Sequence, residues 1–140
     1  MTTIACDGKE LAGDRLSVDN NGMPREVQKI FKIKKGKYKN CIIGGSGGYE
    51  DLLKAVEWFE CGGEKPSLKD FNAILLTKSG MYRMENGLIL DKIFEGMHAI
   101  GSGRDFAIAA MYLGNSAQRS VEIASKFNVY TGSKIDSLKL

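Results

Sequence analysis

The second residue of the chain is a threonine, and that residue type at that place carries a complete acyl-transfer apparatus once Met1 is removed. The freed α-amine of Thr2 can take the proton of its own hydroxyl as the oxygen attacks a carbonyl carbon. An α-amine titrates at about 7.7–8.0, so near neutral pH it serves as the base without a histidine. Thr2 and Thr3 equally suit a strand start, because β-branched residues favour extended backbone, and two residues alone do not separate these readings. Lys29 is the second residue of interest. Along an extended segment over 27–33, Val27, Lys29, Phe31 and Ile33 share one face and Gln28, Ile30 and Lys32 the other. An ammonium among apolar neighbours is costly, so Lys29 needs a carboxylate, a polar cleft or a strand end from which it snorkels to water.

Two glycine-rich stretches complete the set. "IIGGSGGYEDLL" (42–53) places glycines before a helix, where backbone N–H groups can face a developing oxyanion. It lacks the GK[ST] ending of a phosphate loop, which excludes nucleotide binding of that type. "IGSGRDF" holds Ser102 between glycines before another helix, a place at which serine ordinarily caps.

The elements that must position these residues follow from periodicity. Runs 2–6 and 9–13 flank Asp7-Gly8, a hairpin signal, and runs 27–33 and 38–43 flank the lysine-rich turn Lys34 to Lys37. A helical stripe of Leu52, Leu53, Val56, Trp58 and Phe59 predicts a helix over 49–60, ended by Gly62-Gly63. "FNAILLT", "MYRME", "LILDKIF" and "MHAIG" form a predicted meander. Helices over 104–113 and 117–127 follow, with Gly114 closing the first and Ser116 capping the second, and "NVYT" is the predicted last strand. This order predicts an α+β fold of two packed antiparallel sheets with helices outside them.

Composition bounds the rest. The 140 residues, 43% hydrophobic, suit one domain over 1–140 with a proper core. A surplus of only +3, from 20 basic against 17 acidic residues, does not call for nucleic acid or a membrane surface, even with the lysines near 32–39. Cys6, Cys41 and Cys61 are odd in number and widely spaced, which fits reduced thiols in a cytoplasmic protein. No run reaches the ~20 apolar residues of a membrane span, and no signal pattern opens the chain. The lone His98 falls in a predicted strand and reads as structural.

"TTIACDGKELAGDR", "VQKIF", "IIGGSGGYEDLL", "AIGSGRDFAIAA" and "FNVYTG", in that order, resemble the proteasome-type N-terminal nucleophile peptidases over nearly the whole chain. The resemblance implies a four-layer αββα sandwich. It also implies Thr2 as nucleophile after loss of Met1, Asp14 orienting Lys29, and Lys29 beside the threonine hydroxyl. Gly44 falls where the oxyanion-hole N–H lies, and Ser102 where a serine bonds near the terminal amine. No cofactor is required, although backbone carbonyls at Ser125, Asn128 and Thr131 correspond to a segment that can hold a monovalent or divalent cation. The implied partners are peptide or unfolded-protein substrates, further copies of the chain in a ring, and an ATP-dependent unfoldase. One departure bears on these partners: only "CGGEKPSLKD" links the first helix to the strand at Phe71, where the family carries a second long helix, so one helical layer is shortened. Two alternatives keep the fold: a non-catalytic structural or assembly subunit, and a small-amide hydrolase that retains Thr2.

Overall fold

In the computed structural model, residues 2–140 are described; Met1, whose removal the sequence resemblance implies, lies outside them. The strands are β1 (Thr3–Cys6), β2 (Glu10–Asp14), β3 (Leu16–Val18), β4 (Pro24–Glu26), β5 (Ile30–Lys32), β6 (Ile42–Gly47), β7 (Phe71–Thr77), β8 (Gly80–Met84), β9 (Asp91–Ile93), β10 (His98–Gly101) and β11 (Ile135–Lys139). The helices are α1 (Tyr49–Cys61), α2 (Arg104–Tyr112) and α3 (Ala117–Phe127). Antiparallel pairing builds a four-stranded sheet in the order β10-β1-β2-β11 and a five-stranded sheet in the order β5-β6-β7-β8-β9, with β3-β4 as a separate hairpin.

Alternation of side chains gives each large sheet two apolar faces, and three apolar clusters fill the spaces between four layers. Ile4, Leu11, Ile30, Ile42 and Ile74 meet between the sheets, and fully burying each such side chain stabilises by about 1.5–3 kcal/mol. Leu52, Ala55 and Phe59 seat α1 against Ile43, Ala73 and Leu75 of the five-stranded sheet. Ala5, Ala12 and Ala99 of the other sheet take α2 and α3 through Ala107, Val121 and Ala124. Small residues on both sides of this last contact let helices and sheet approach closely. Gly44 does the same between the sheets, since a Cβ there would stand 2.6 Å from Leu11 Cδ2 and 2.8 Å from Ile4 Cγ2. The arrangement is the αββα sandwich, with α1 the one helix among the described residues that packs on the five-stranded sheet.

Several elements differ in detail from the sequence reading. The first hairpin turns at Gly8-Lys9, one residue late, because Asp7 N–H bonds Glu10 O while the Asp7 carboxylate accepts the N–H of Lys9 and of Glu10. The glycines of "GGSG" continue β6 rather than forming a turn, since β7 supplies backbone partners along the whole of that stretch, while β5 pairs only as far as Gly44. The meander stops at β9: β10 crosses to the other sheet and pairs with β1, with Cys6 opposite His98. Residues 128–131 form a turn and not a strand, and the last strand is instead Ile135–Lys139, which pairs with β2. Leu53 falls off the buried stripe of α1 and is 44% exposed.

Burial pushes the Cys6 thiol up to about 12, whereas Cys61 is exposed. Only a thiolate attacks an alkylating reagent. Iodoacetamide at pH 8 is therefore expected to label Cys61 in the native protein and Cys6 only after denaturation, read by peptide mass; fast native labelling of Cys6 would contradict this packing.

Candidate active site

Asp14 ends β2 with its side chain fully buried, and every oxygen of its carboxylate is used. Oδ1 accepts the Thr3 N–H and a Lys29 Nζ proton, both at 3.0 Å, and Oδ2 accepts the Gly132 N–H at 3.1 Å. One carboxylate thus ties together the start of the chain, the approach to β5 and the turn before β11. Lys29 is 4% exposed, and its ammonium also donates to the Leu16 carbonyl. Its pKa is lowered, because burial outweighs the opposing attraction of Asp14.

Strict alternation places Lys29 with Phe31 and Ile33, both of which belong to the α1 side. Lys29 reaches the other sheet instead because it stands one residue before β5, where the Gly45 N–H donates to its carbonyl at 3.1 Å and its ammonium is drawn to Asp14. Of the surroundings that the sequence left open for Lys29, a carboxylate, a polar cleft or a strand end, the structure supplies the carboxylate; the face was not legible.

Thr2 is 6% exposed and is gripped through its backbone. Its nitrogen donates to Ser102 Oγ at 3.2 Å, and its carbonyl accepts the Gly103 N–H at 3.3 Å. Ser102 does not cap α2, whose N-cap is Gly103 without a side-chain bond. Its hydroxyl faces the chain start and also lies 3.3 Å from Asn128 Oδ1, while Asn128 Nδ2 donates to the Ser102 carbonyl at 3.0 Å. Thr3 Oγ1 and Thr131 Oγ1 bond at 2.7 Å. The turn at 128–132 therefore grips Ser102, Thr3 and Asp14 with three different residues, a role that the sequence reading missed because it took this stretch for a strand.

A cleft of about 360 Å³ opens at Thr2 and Lys29 and runs along the end of β6. Gly45, Ser46, Gly47 and Gly48 line it, and Gly44 does not. Gly45 directs its N–H to β5, so the alternation of an antiparallel ladder turns the Gly44 N–H toward β7, where Gly44 pairs with Ile74. Gly44 is thus engaged inside the sheet. Gly47 has the parity of Gly45 but lies past the end of β5. Its φ of +99° and the 2.4 Å from a would-be Cβ to Asp70 O leave room for glycine alone. Counting alternate residues from Lys29's partner would have found it.

Of the proposed carbonyl ligands, Ser125 lies in the last turn of α3, and Asn128 O already accepts the Thr131 N–H at 3.1 Å. Among the described residues, no group of three or more histidine, cysteine, aspartate or glutamate side chains is placed to hold a metal. His98 is half-buried on β10, its pKa lowered by burial and by the charge of Arg83. No helix is long and apolar enough to cross a membrane.

No protein-family model and no curated protein matches the sequence. Solved structures do. BPH of Thiobacillus denitrificans in complex with epoxomicin is similar with a TM-score of 0.74 at 16% identity, over 99% of this chain and 97% of that one. A second structure of BPH from the same organism gives 0.73 at 17%, over 99% and 96%. Eukaryotic HslV from Trypanosoma brucei gives 0.68 at 17%, over 99% and 100%. With TM-scores of 0.68–0.74 over nearly the whole of both chains, the chain has the fold of the proteasome-type N-terminal nucleophile hydrolases.

Proposed function

We propose that the chain is a threonine-type endopeptidase of the proteasome and HslV kind, with Thr2 as its nucleophile after removal of Met1. The observation that carries this reading is the shared Asp14 oxygen, which holds the Thr3 N–H and the Lys29 ammonium at 3.0 Å each beside a threonine at the mouth of a cleft. The α-amine of Thr2 takes the hydroxyl proton as Oγ attacks the scissile carbonyl. Lys29 favours the developing alkoxide by its charge, and Asp14 keeps Lys29 in place. Ser102 orients the amine through its hydroxyl. The Gly47 N–H, rather than that of Gly44, takes the role of oxyanion donor, because it faces the cleft. The amine then returns its proton to the departing amine of the product, and water cleaves the acyl ester. No cofactor enters these steps.

A threonine nucleophile of broad reach needs shielding from folded protein, which a ring of identical subunits in the cytoplasm supplies. The exposed apolar surface of α2 and α3 supports assembly: Tyr112 and Leu113 are each 82% exposed and Phe127 66%, more than isolated surface residues need. Substrates are peptides and unfolded segments, brought by an ATP-dependent unfoldase or by diffusion.

An epoxyketone is expected to add to Thr2 through hydroxyl and amine together, seen as a mass increase on a chain that starts at Thr2. Thr2→Ala should lose at least about a thousandfold in peptide hydrolysis, Thr2→Ser should keep a measurable part, and Thr3→Ala should lose less than Thr2→Ala. A chain that keeps Met1, takes up no inhibitor and hydrolyses peptide at the Thr2→Ala rate would sink the proposal in favour of a non-catalytic subunit.

Stability gives a separate check. Lys29→Ala leaves the buried Asp14 carboxylate without its cation and should cost about 3–5 kcal/mol in urea unfolding. Lys29→Ala with Asp14→Asn should cost less than Lys29→Ala alone; strict additivity would contradict a coupled pair. In solution, light scattering should show an oligomer, and a monomer at high concentration would instead favour the small-amide hydrolase.

A further inference from the structure

The cleft holds one charged group that the chemistry above does not use. Asp70 lies just before β7, where its backbone is pinned twice: its N–H donates to Asp51 Oδ2 at 2.8 Å and its carbonyl accepts the Gly48 N–H at 2.7 Å. This fixes its side chain against the glycine turn, and Asp70 Oδ1 stands 3.0 Å from where a Cβ on Gly47 would be. Asp70 also lines the same cleft as Thr2 and Lys29. Among the described residues, its carboxylate has no hydrogen-bond or ion-pair partner. The neighbouring carboxylate, Asp51, is satisfied by the N–H groups of Lys69 and Asp70, which lower its pKa. Among the described side chains that line the cleft, the ammonium of Lys29 is bound to Asp14.

We propose that Asp70 makes the cleft selective for peptides with a cationic side chain, lysine or arginine, on the residue that supplies the scissile carbonyl, and that it repels acidic residues there. The proposal rests on the peptidase reading, in which that carbonyl sits on the Gly47 N–H. An anion beside Gly47 is then within a side chain's reach of the residue being cleaved. Leu52 and Tyr49 of α1, which also line the cleft, suit the aliphatic stem of a lysine or arginine, whose charged head extends to the rim. A fixed charge at a cleft rim acts on both signs of substrate, attracting one and disfavouring the other.

The test uses full-length protein and three otherwise identical fluorogenic peptides with arginine, leucine or glutamate at that position. For the unaltered chain, kcat/KM for arginine should exceed that for glutamate by about tenfold, the sum of one partly solvated attraction and one repulsion. Asp70→Asn should bring the ratio to within about twofold of unity, and Asp70→Lys should invert it. Because the Asp70 carboxylate makes no hydrogen bond or ion pair among the described residues, both variants should keep the native melting temperature. An arginine-to-glutamate ratio unchanged in Asp70→Asn and Asp70→Lys, in protein that still takes up the epoxyketone, overturns the role of Asp70 alone. Absence of both hydrolysis and inhibitor uptake overturns the peptidase reading, and this proposal with it.

Discussion

The Asp14 carboxylate is the constraint on which the site depends. A carboxylate without solvent exposure is tolerated only when its oxygens are paired, and here three donors from distant parts of the chain converge on it: Thr3 from β1, Lys29 before β5 and Gly132 before β11. Remove any one and a buried polar group is orphaned, at a cost of about 1–3 kcal/mol or more for a charge. The same three bonds that satisfy the carboxylate set the distance between the start of the chain and an ammonium. Stability and the placement of Thr2 beside Lys29 therefore share one interaction, and neither can drift without the other.

Around this centre the sandwich acts as a rigid clamp. The aliphatic cluster between the sheets fixes β1 and β2 against β6, so that Thr2 and Gly47 face one cleft although they belong to different sheets. Gly44 belongs to the clamp: its missing side chain admits Leu11 and Ile4. Gly47, three residues on, is free of the β5 ladder and can turn its amide outward. A strand that is paired on both sides for most of its length and on one side at its end supplies both services, and the positive φ of Gly47 marks where the change happens.

The turn at 128–132 is the other positioning element. Three short polar side chains, Ser102, Asn128 and Thr131, connect it to the first two described residues. Such networks strengthen in a partly buried setting and specify one arrangement when each member is satisfied. Two glycines beside Ser102 serve the same end: a Cβ on Gly101 would stand 2.0 Å from Thr2 O, and one on Gly103 would stand 2.0 Å from Thr3 Oγ1. Close backbone approach is thus what the "GSG" triplet provides, more than a helix cap.

Much of the fold was legible in the sequence because it rests on local rules. Helix periods placed α1, α2 and α3 within a residue or two, Ser116 capped α3 as its type predicts, and β-prone runs between turn residues overlap β1, β2 and β5 through β10. Lys29 among apolar neighbours narrowed its surroundings to a carboxylate, a polar cleft or a strand end open to water. What only the tertiary structure decided were partners far apart in the chain. Periodicity cannot say that β10 leaves the meander to pair with β1, that Ile135–Lys139 rather than "NVYT" closes the sheet on β2, or that β6 runs on through its glycines, because each outcome depends on which edge offers unpaired backbone groups. The same holds at the site. Which glycine turns its N–H to the cleft follows from the β5–β6 register, and Asp70 meets Gly47 because β7 lies beside β6, a neighbour relation that residue types alone do not encode.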